Sequence, residues 1–402
     1  VPVSALTGIR VLDLTRILAG PWCTMTLADL GAEVWKIEPP GSGDDTRHWS
    51  PPETGGVSTY YLTVNRSKKS VAIDLNRPAG RRLLLGLAAK ADVVIENYRP
   101  ATLRRWGFGY EAVREHNPQV IYCAISGYGR DTPYADRPGY DFVLQAECGF
   151  MAITGEPAGE PMRLGVAFVD LLTGANASQA VLAALFARER TGCGQYLDIA
   201  LFDSGLQALA NVATGCLNTG AEAQRYGNAH PSIVPYQLFT CGDGQRLAVA
   251  VGNDEQYQRL CTAVLDSPQL ASDARFRSNR ARTLHRAVLI PELQRQFARF
   301  DAATLVRRMQ AADIPVGEVR SVKAALASAE SVARGCVAEV TTPGIGALGL
   351  VQSPLRFSAT PVRAPLPPPR LGEHTAQVLQ GVLGLGTAEL DALIADGTLA
   401  ST

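Results

Sequence analysis

Two periods alternate along the first two hundred residues, and that alternation constrains the fold more than anything else in the chain. Short, largely apolar runs, "IRVLDLT" (9–15), "EVWKIE" (33–38), "SVAIDL" (70–75), "DVVIEN" (92–97) and "PQVIYCAISGYG" (118–129), are separated by helix-like stretches such as Pro21–Leu30 and Ala79–Ala91. Apolar strands joined by crossover-length helices build a parallel sheet covered on both faces. The expected class is α/β, with a Rossmann-like large domain. No GxGxxG follows the first run, and no GxxxxGK(S/T) occurs anywhere. Dinucleotide and P-loop phosphate cradles need those glycines for close backbone approach, which disfavours a nicotinamide dehydrogenase or an NTPase.

A chain of 402 residues has room for about two or three domains. Residues 1–200 read as the first part of a large domain. Residues 201–225 read as a linker helix, so apolar that it belongs in the core or at a subunit interface. Short strands and amphipathic helices over 226–325 suggest a smaller α/β domain, and 326–402 a return segment that completes the large one. Within that segment "SATPVRAPLPPPRLGEHT" (358–375) looks like an extended strap.

Lys plus Arg and Asp plus Glu number 38 each, so no global field draws the chain to nucleic acid or to an anionic membrane. A polyanionic ligand must meet a local basic cluster instead. No apolar run reaches the ~18 residues expected of a spanning helix. The eight cysteines are scattered without a CxxC pair. That spacing fits reduced thiols better than a disulfide framework, and with five dispersed histidines it gives no metal site. The expectation is a cytoplasmic protein, or a mitochondrial-matrix one if a presequence was removed.

"RLGVAFVDLLTG" (163–174) poses the chemical question. It reads as an apolar strand that ends on a carboxylate, Asp170, where a long helix begins. One reading makes Asp170 an N-cap. The other makes it a nucleophile, kept ionised at low pKa by the helix N-terminus, with nearby N–H groups for an oxyanion. Geometry alone leaves both open.

Several further segments bear on that choice: "LTGIRVLDLTRILAGPWCTMTLADLGAEVWKIEPPGSGDDTR", "YYLTVNRSKKSVAIDL", "DVVIENYRPATLRRWGFGYE", "RPGYDFVLQAECGFMAITG", "YGNAHPSIVPYQLFTCGDG" and "APLPPPRLGEHT". Together with the Asp170 segment they resemble, in order and over nearly the whole length, the class III coenzyme A-transferase family. Within it the chain is most similar to members that move CoA between succinate and glutarate-like dicarboxylates. The resemblance implies that Asp170 is the catalytic aspartate, forming an aspartyl–acyl anhydride and then an enzyme–CoA thioester, with Asp141 close by. It implies CoA contacts at Arg16, Ala19, Ile73, Asp74, Leu75, Asn97, Tyr98 and Arg105. Lys36 and "NRSKK" (65–69) are further phosphate candidates.

The resemblance also implies an acyl-CoA and a carboxylic acid as substrates, no permanently bound cofactor, and an interlaced homodimer. In "PGYD" (138–141) Tyr140 stands where similar racemases carry a histidine, and two-base exchange at an α-carbon loses a partner without it. Asp141 itself also reads as a plain turn residue. Tyr140 and His230 are the acceptor-side candidates, although a loop histidine before Pro231 equally suits a structural role. Leu18 replaces a glutamine of the oxalate-specific relatives, which argues against oxalate. An intramolecular CoA transferase, an acyl-CoA racemase and a non-catalytic CoA-binding protein stay open as alternatives.

Overall fold

The structure is a computed structural model that describes residues 3–400. Its contacts form two units, one of residues 3–150, 164–219 and 330–400, the other of 151–163 and 220–329. Residues 201–219 thus group with the first unit instead of standing as a linker, and 151–163, read above as part of the large domain, group with the second.

The first unit is built on strands β1 (Arg10–Leu14), β2 (Glu33–Glu38), β3 (Lys69–Ile73), β4 (Val93–Glu96), β5 (Ile121–Ser126) and β6 (Gln195–Ala200). They pair in parallel in the order 3-2-1-4-5-6, and a two-residue strand at Leu399–Ala400 joins β3 antiparallel at the edge. Alternate residues serve opposite faces: Val11, Val93, Ile95, Ile121, Cys123 and Ile125 pack on one side. Leu12, Val94, Tyr122 and Ala124 pack on the other, so both faces are core. The order reverses between β1 and β4. At such a reversal the loops after neighbouring strands turn to opposite faces and leave a crevice at the strands' C-terminal ends.

Four helices frame that crevice: α1 (Ala19–Asp29), α2 (Asp141–Glu147), α3 (Phe168–Thr191) and α4 (Leu201–Ala208). Residues 163–167 are not a strand; α3 starts at Phe168, and Asp170 sits inside its first turn. The apolar run is held as a loop because Gln145 accepts from Leu164 N at 2.8 Å and donates to Val166 O at 3.1 Å. A side-chain amide supplies what a neighbouring strand would.

By length and apolarity α3 would also suit a bilayer, contrary to the expectation of no such run. Its packing is that of a core helix: Val169, Ala177, Val181, Ala184 and Leu185 are buried, and it crosses α1 closely.

The expected linker helix over 201–225 is broken and ends at Thr219. Leu209 is a turn, Ala210 has φ 47°, and the second piece, Ala210–Thr219, buries none of its residues within this chain. The core half of that expectation fails for this second piece only, since Leu201, Ser204 and Gly205 of the first are buried. The Pro-rich segment has no regular structure and is tied down by Arg363 N to Asp29 O (2.8 Å), Leu366 N to Ser67 Oγ (3.0 Å) and Tyr61 OH to Pro369 O (3.0 Å).

Two of the lysines proposed for phosphate contact are structural. Lys36 is fully buried and donates to Asp44 at 2.8 Å and to Thr15 O at 2.9 Å. Lys68 is buried against Asp13 at 3.1 Å, Pro21 O and Asn65. Within "NRSKK", Arg66 pairs with Asp29 and Lys69 with Glu33. Burying an ammonium requires such partners, and for Lys68 the carboxylate lies 55 positions away in sequence.

The second unit has an antiparallel sheet of Tyr236–Thr240, Arg246–Ala250 and Val316–Glu318. Helices cover it through a core in which Phe239 and Phe297 stack at 4.3 Å.

Candidate active site

The loop after β1 (Thr15–Leu18) and the loop after β4 (Asn97–Arg99) leave the sheet on either side of the reversal and are clamped to each other. Arg16 N donates to Asn97 Oδ1 at 3.0 Å, and Asn97 Nδ2 donates back to Arg16 O at 2.8 Å. The Arg16 guanidinium lies 4.9 Å over the Tyr98 ring and pairs with Asp45 at 2.9 Å.

Arg16 and Tyr98 together form a wall shared by two clefts. On the β3 side, Ile73, Asp74, Leu75 and Trp106 line a slot with an apolar floor. Across the wall, Leu18, Ala19, Asn97, Ser126, Gly127, Tyr140 and Asp170 line a second cleft that also receives Arg99, Arg130 and Arg137.

Asp170 owes its position to two devices. Asp141 is buried at 6% exposure, and its Oδ1 accepts from Val169 N at 2.8 Å and Asp170 N at 3.3 Å. Gln145 holds the other oxygen at 2.7 Å. Asp141 is therefore the cap of α3, supplied from another helix, and Asp170 is no N-cap at all. The second device is Gly174, one turn on, where α3 crosses α1. A Cβ there would lie 2.5 Å from Ala19 O and 3.0 Å from Trp22. The approach keeps Asp170 beside the start of α1, where Ala19 is the first helical residue.

The electrostatics reverse one expectation. Burial, and then the Asp141 charge, push the Asp170 carboxyl up to about 7 rather than holding it low. The helix N-terminus spends its N–H groups on Asp141, leaving Asp170 with a desolvated charge and a like-charged neighbour. Tyr60 feels the same pair: burial and then the charges of Asp170 and Asp141 raise its hydroxyl to about 12. Such a carboxylate is more basic, and hence more nucleophilic, than one in water.

Among the sequence candidates, Arg16, Ala19, Asn97, Tyr98, Tyr140 and Asp170 line the second cleft, and Asp141 stands behind it. Ile73, Asp74 and Leu75 line the first. Arg105 is exposed on the helix Pro100–Trp106 and lines neither. Tyr140 is 60% exposed at the rim.

His230 belongs to the second unit and organises its own loop. Its Nδ1 accepts from Ser232 N at 3.0 Å, its N donates to Tyr236 O, and its carbonyl accepts from Arg286 at 2.7 Å. Sequence reasoning missed Arg99, Arg130 and Arg137, because a lone arginine after a strand reads as surface. The run "GYGRDTPYADRPGY" carried the only available signal, two arginines flanking turns in a segment that begins on Gly127.

Comparison with known proteins agrees with this geometry. The family model described as CoA-transferase family III matches residues 6–375. A mouse protein named succinyl-CoA:glutarate CoA-transferase is 42% identical over 98% of this chain and 90% of its own length. A succinate–glutarate CoA-transferase of Agrobacterium fabrum is 41% identical over 93% of this chain and 94% of its own. The crystal structure of a CaiB/BaiF family protein from Brucella suis superposes with a TM-score of 0.84 at 40% identity, covering 94% of this chain and all of that one. A carboxylate in an arginine-lined crevice and a match along almost the entire length lead to one conclusion: the chain belongs to CoA-transferase family III and is an enzyme that transfers coenzyme A.

Proposed function

We propose that the enzyme moves coenzyme A between succinyl-CoA and glutarate, with Asp170 as the nucleophile. The observation that carries this reading is the Asp170 carboxyl, raised to about 7 in a cleft that receives four arginines. The two glutarate-directed relatives, similar over nearly their whole length, supply the substrate class.

In this scheme an Asp170 oxygen attacks the succinyl thioester carbon, the C–S bond breaks, and CoA thiolate leaves behind a succinyl–aspartyl anhydride. The thiolate attacks the aspartyl carbonyl, succinate departs, and CoA is held as a thioester on Asp170. A glutarate oxygen then attacks that thioester, and the released thiolate takes the glutaryl carbonyl. Asp170 is regenerated with no net proton gained or lost. Arg16 and Tyr98 separate the reacting end from the slot at Ile73–Leu75, which suits the adenine end of CoA, and Tyr140 at the rim faces the acceptor.

The working form in this proposal is an interlaced homodimer, which would cover the apolar side chains of Ala210–Thr219, including Leu217.

The test is product analysis after mixing the enzyme with succinyl-CoA and glutarate. Stoichiometric glutaryl-CoA and succinate are expected. Hydrolysis alone, or glutarate no better than the monoacid butyrate, would refute the assignment.

A further inference from the structure

Arg130 is placed in the reaction cleft with part of its hydrogen-bonding capacity unspent. It follows β5 in the turn "GYGRD", with its backbone N–H fixed to Asp198 Oδ2 at 2.7 Å. Its side chain is 10% exposed, and its side-chain hydrogen bonds among the described residues run through one nitrogen, Nη2: Glu96 Oε1 at 3.0 Å, Glu96 Oε2 at 2.9 Å and Ile125 O at 3.5 Å. Nε is buried without an acceptor among the described residues.

Glu96, 1% exposed at the end of β4, also accepts from Tyr98 N at 2.8 Å. It thereby fixes Arg130 and the shared wall to each other. Burial raises the Glu96 carboxyl to about 7 despite Arg130, so the pair keeps part of its positive charge at neutral pH. Arg16 also leaves its Nε buried without an acceptor among the described residues, but its side chain stands in the wall shared with the other cleft, 40% exposed and tied to Asp45; Arg137 is held by Glu147 over the Tyr128 ring, and Arg99 is exposed. Nη1, neither enclosed nor hydrogen-bonded among the described residues, is the nitrogen this side chain leaves open to the cleft, and a ligand carboxylate oxygen fits it best.

We propose that Arg130, positioned by Glu96, binds the non-reacting carboxylate of the dicarboxylic substrate and so selects diacids over monoacids. The inference rests on the dicarboxylate reading given above. Arg130 lines the cleft of Asp170 and not the slot at Ile73–Leu75, so the anion it meets belongs to the reacting acid rather than to the nucleotide end of CoA.

The experiment compares wild type, Arg130→Gln and Arg130→Lys by steady-state transfer from succinyl-CoA to glutarate and to butyrate. Calorimetric binding of glutarate alone and of free CoA is measured alongside. Arg130→Gln should raise the glutarate KM and Kd by roughly 10- to 100-fold and collapse the glutarate-to-butyrate preference. Arg130→Lys should be intermediate, and the CoA Kd unchanged in both.

An unchanged preference and an unchanged glutarate Kd overturn the inference, as does a CoA Kd that weakens in step with glutarate. If wild type transfers nothing to glutarate, the proposed function fails. Arg130-dependent glutarate binding would then still uphold this inference, and its absence would end both.

Discussion

Asp141 Oδ1 stands 2.8 Å from Val169 N and 3.3 Å from Asp170 N, so one carboxylate caps the helix that presents the other. The cap orients Asp170, and its charge, added to burial, keeps the Asp170 proton on to about pH 7. Orientation comes from Asp141, and basicity from burial first and then from the Asp141 charge.

The pH dependence follows. In the proposed mechanism only the ionised Asp170 attacks, so kcat/KM should rise with pH along a limb whose apparent pKa is near 7. Asp141→Asn removes the like charge and should move that limb to lower pH. The amide can still accept from Val169 N, but its NH2 would face the Gln145 NH2, costing about 1–2 kcal/mol of stability. Rate–pH profiles of the two proteins check the shift.

The same raised value has a stability counterpart. The folded protein holds the Asp170 proton more tightly than the unfolded chain, so this group stabilises most below its ordinary value of 3.8. That contribution is lost as pH rises through about 7. Asp170→Asn should therefore gain in Tm relative to wild type as pH goes from 5 to 8, read by thermal unfolding at both pH values.

The parallel sheet was legible because its strands are buried on both faces, as Val93, Val94 and Ile95 illustrate. Asp170 stood out as a carboxylate after an apolar run. Its neighbourhood did not: "RLGVAFV" has the pattern of a strand, and nothing local announces that Gln145, nineteen positions before Leu164, will occupy its backbone groups. Lys36 and Lys68 were misread for a related reason, since their partners Asp44 and Asp13 lie in other elements. The low pKa expected for Asp170 assumed that it kept the helix N–H groups for itself.

Gly174→Ala tests the helix crossing. The new methyl would meet Ala19 O and Trp22, forcing α3 away from α1 at a cost of about 1–3 kcal/mol. Turnover should fall more than tenfold while the protein stays folded at 25 °C, because Asp170 moves with the helix. Activity and circular dichroism on one preparation separate the two effects.

Asp13→Ala should act on the fold alone. It leaves buried Lys68 without its carboxylate and takes away the acceptor of the Thr15 hydroxyl. The expected loss is about 3–5 kcal/mol, measured by urea unfolding.

Arg16→Ala should do the reverse. Its ion pair with Asp45 is half exposed and contributes little to stability, so the unfolding midpoint should hardly move. The KM for succinyl-CoA should rise roughly tenfold or more, because Arg16 stands between the two clefts.

The central claim is that Asp170 becomes covalently loaded. Intact-protein mass spectrometry after brief exposure to succinyl-CoA, run on wild type and on Asp170→Ala, tests it most directly. The account predicts a mass increase on wild type matching CoA thioester or succinyl anhydride, discharged by glutarate and absent from the variant. An adduct of the same mass on Asp170→Ala, or transfer to glutarate by the variant at the wild-type rate, would contradict it.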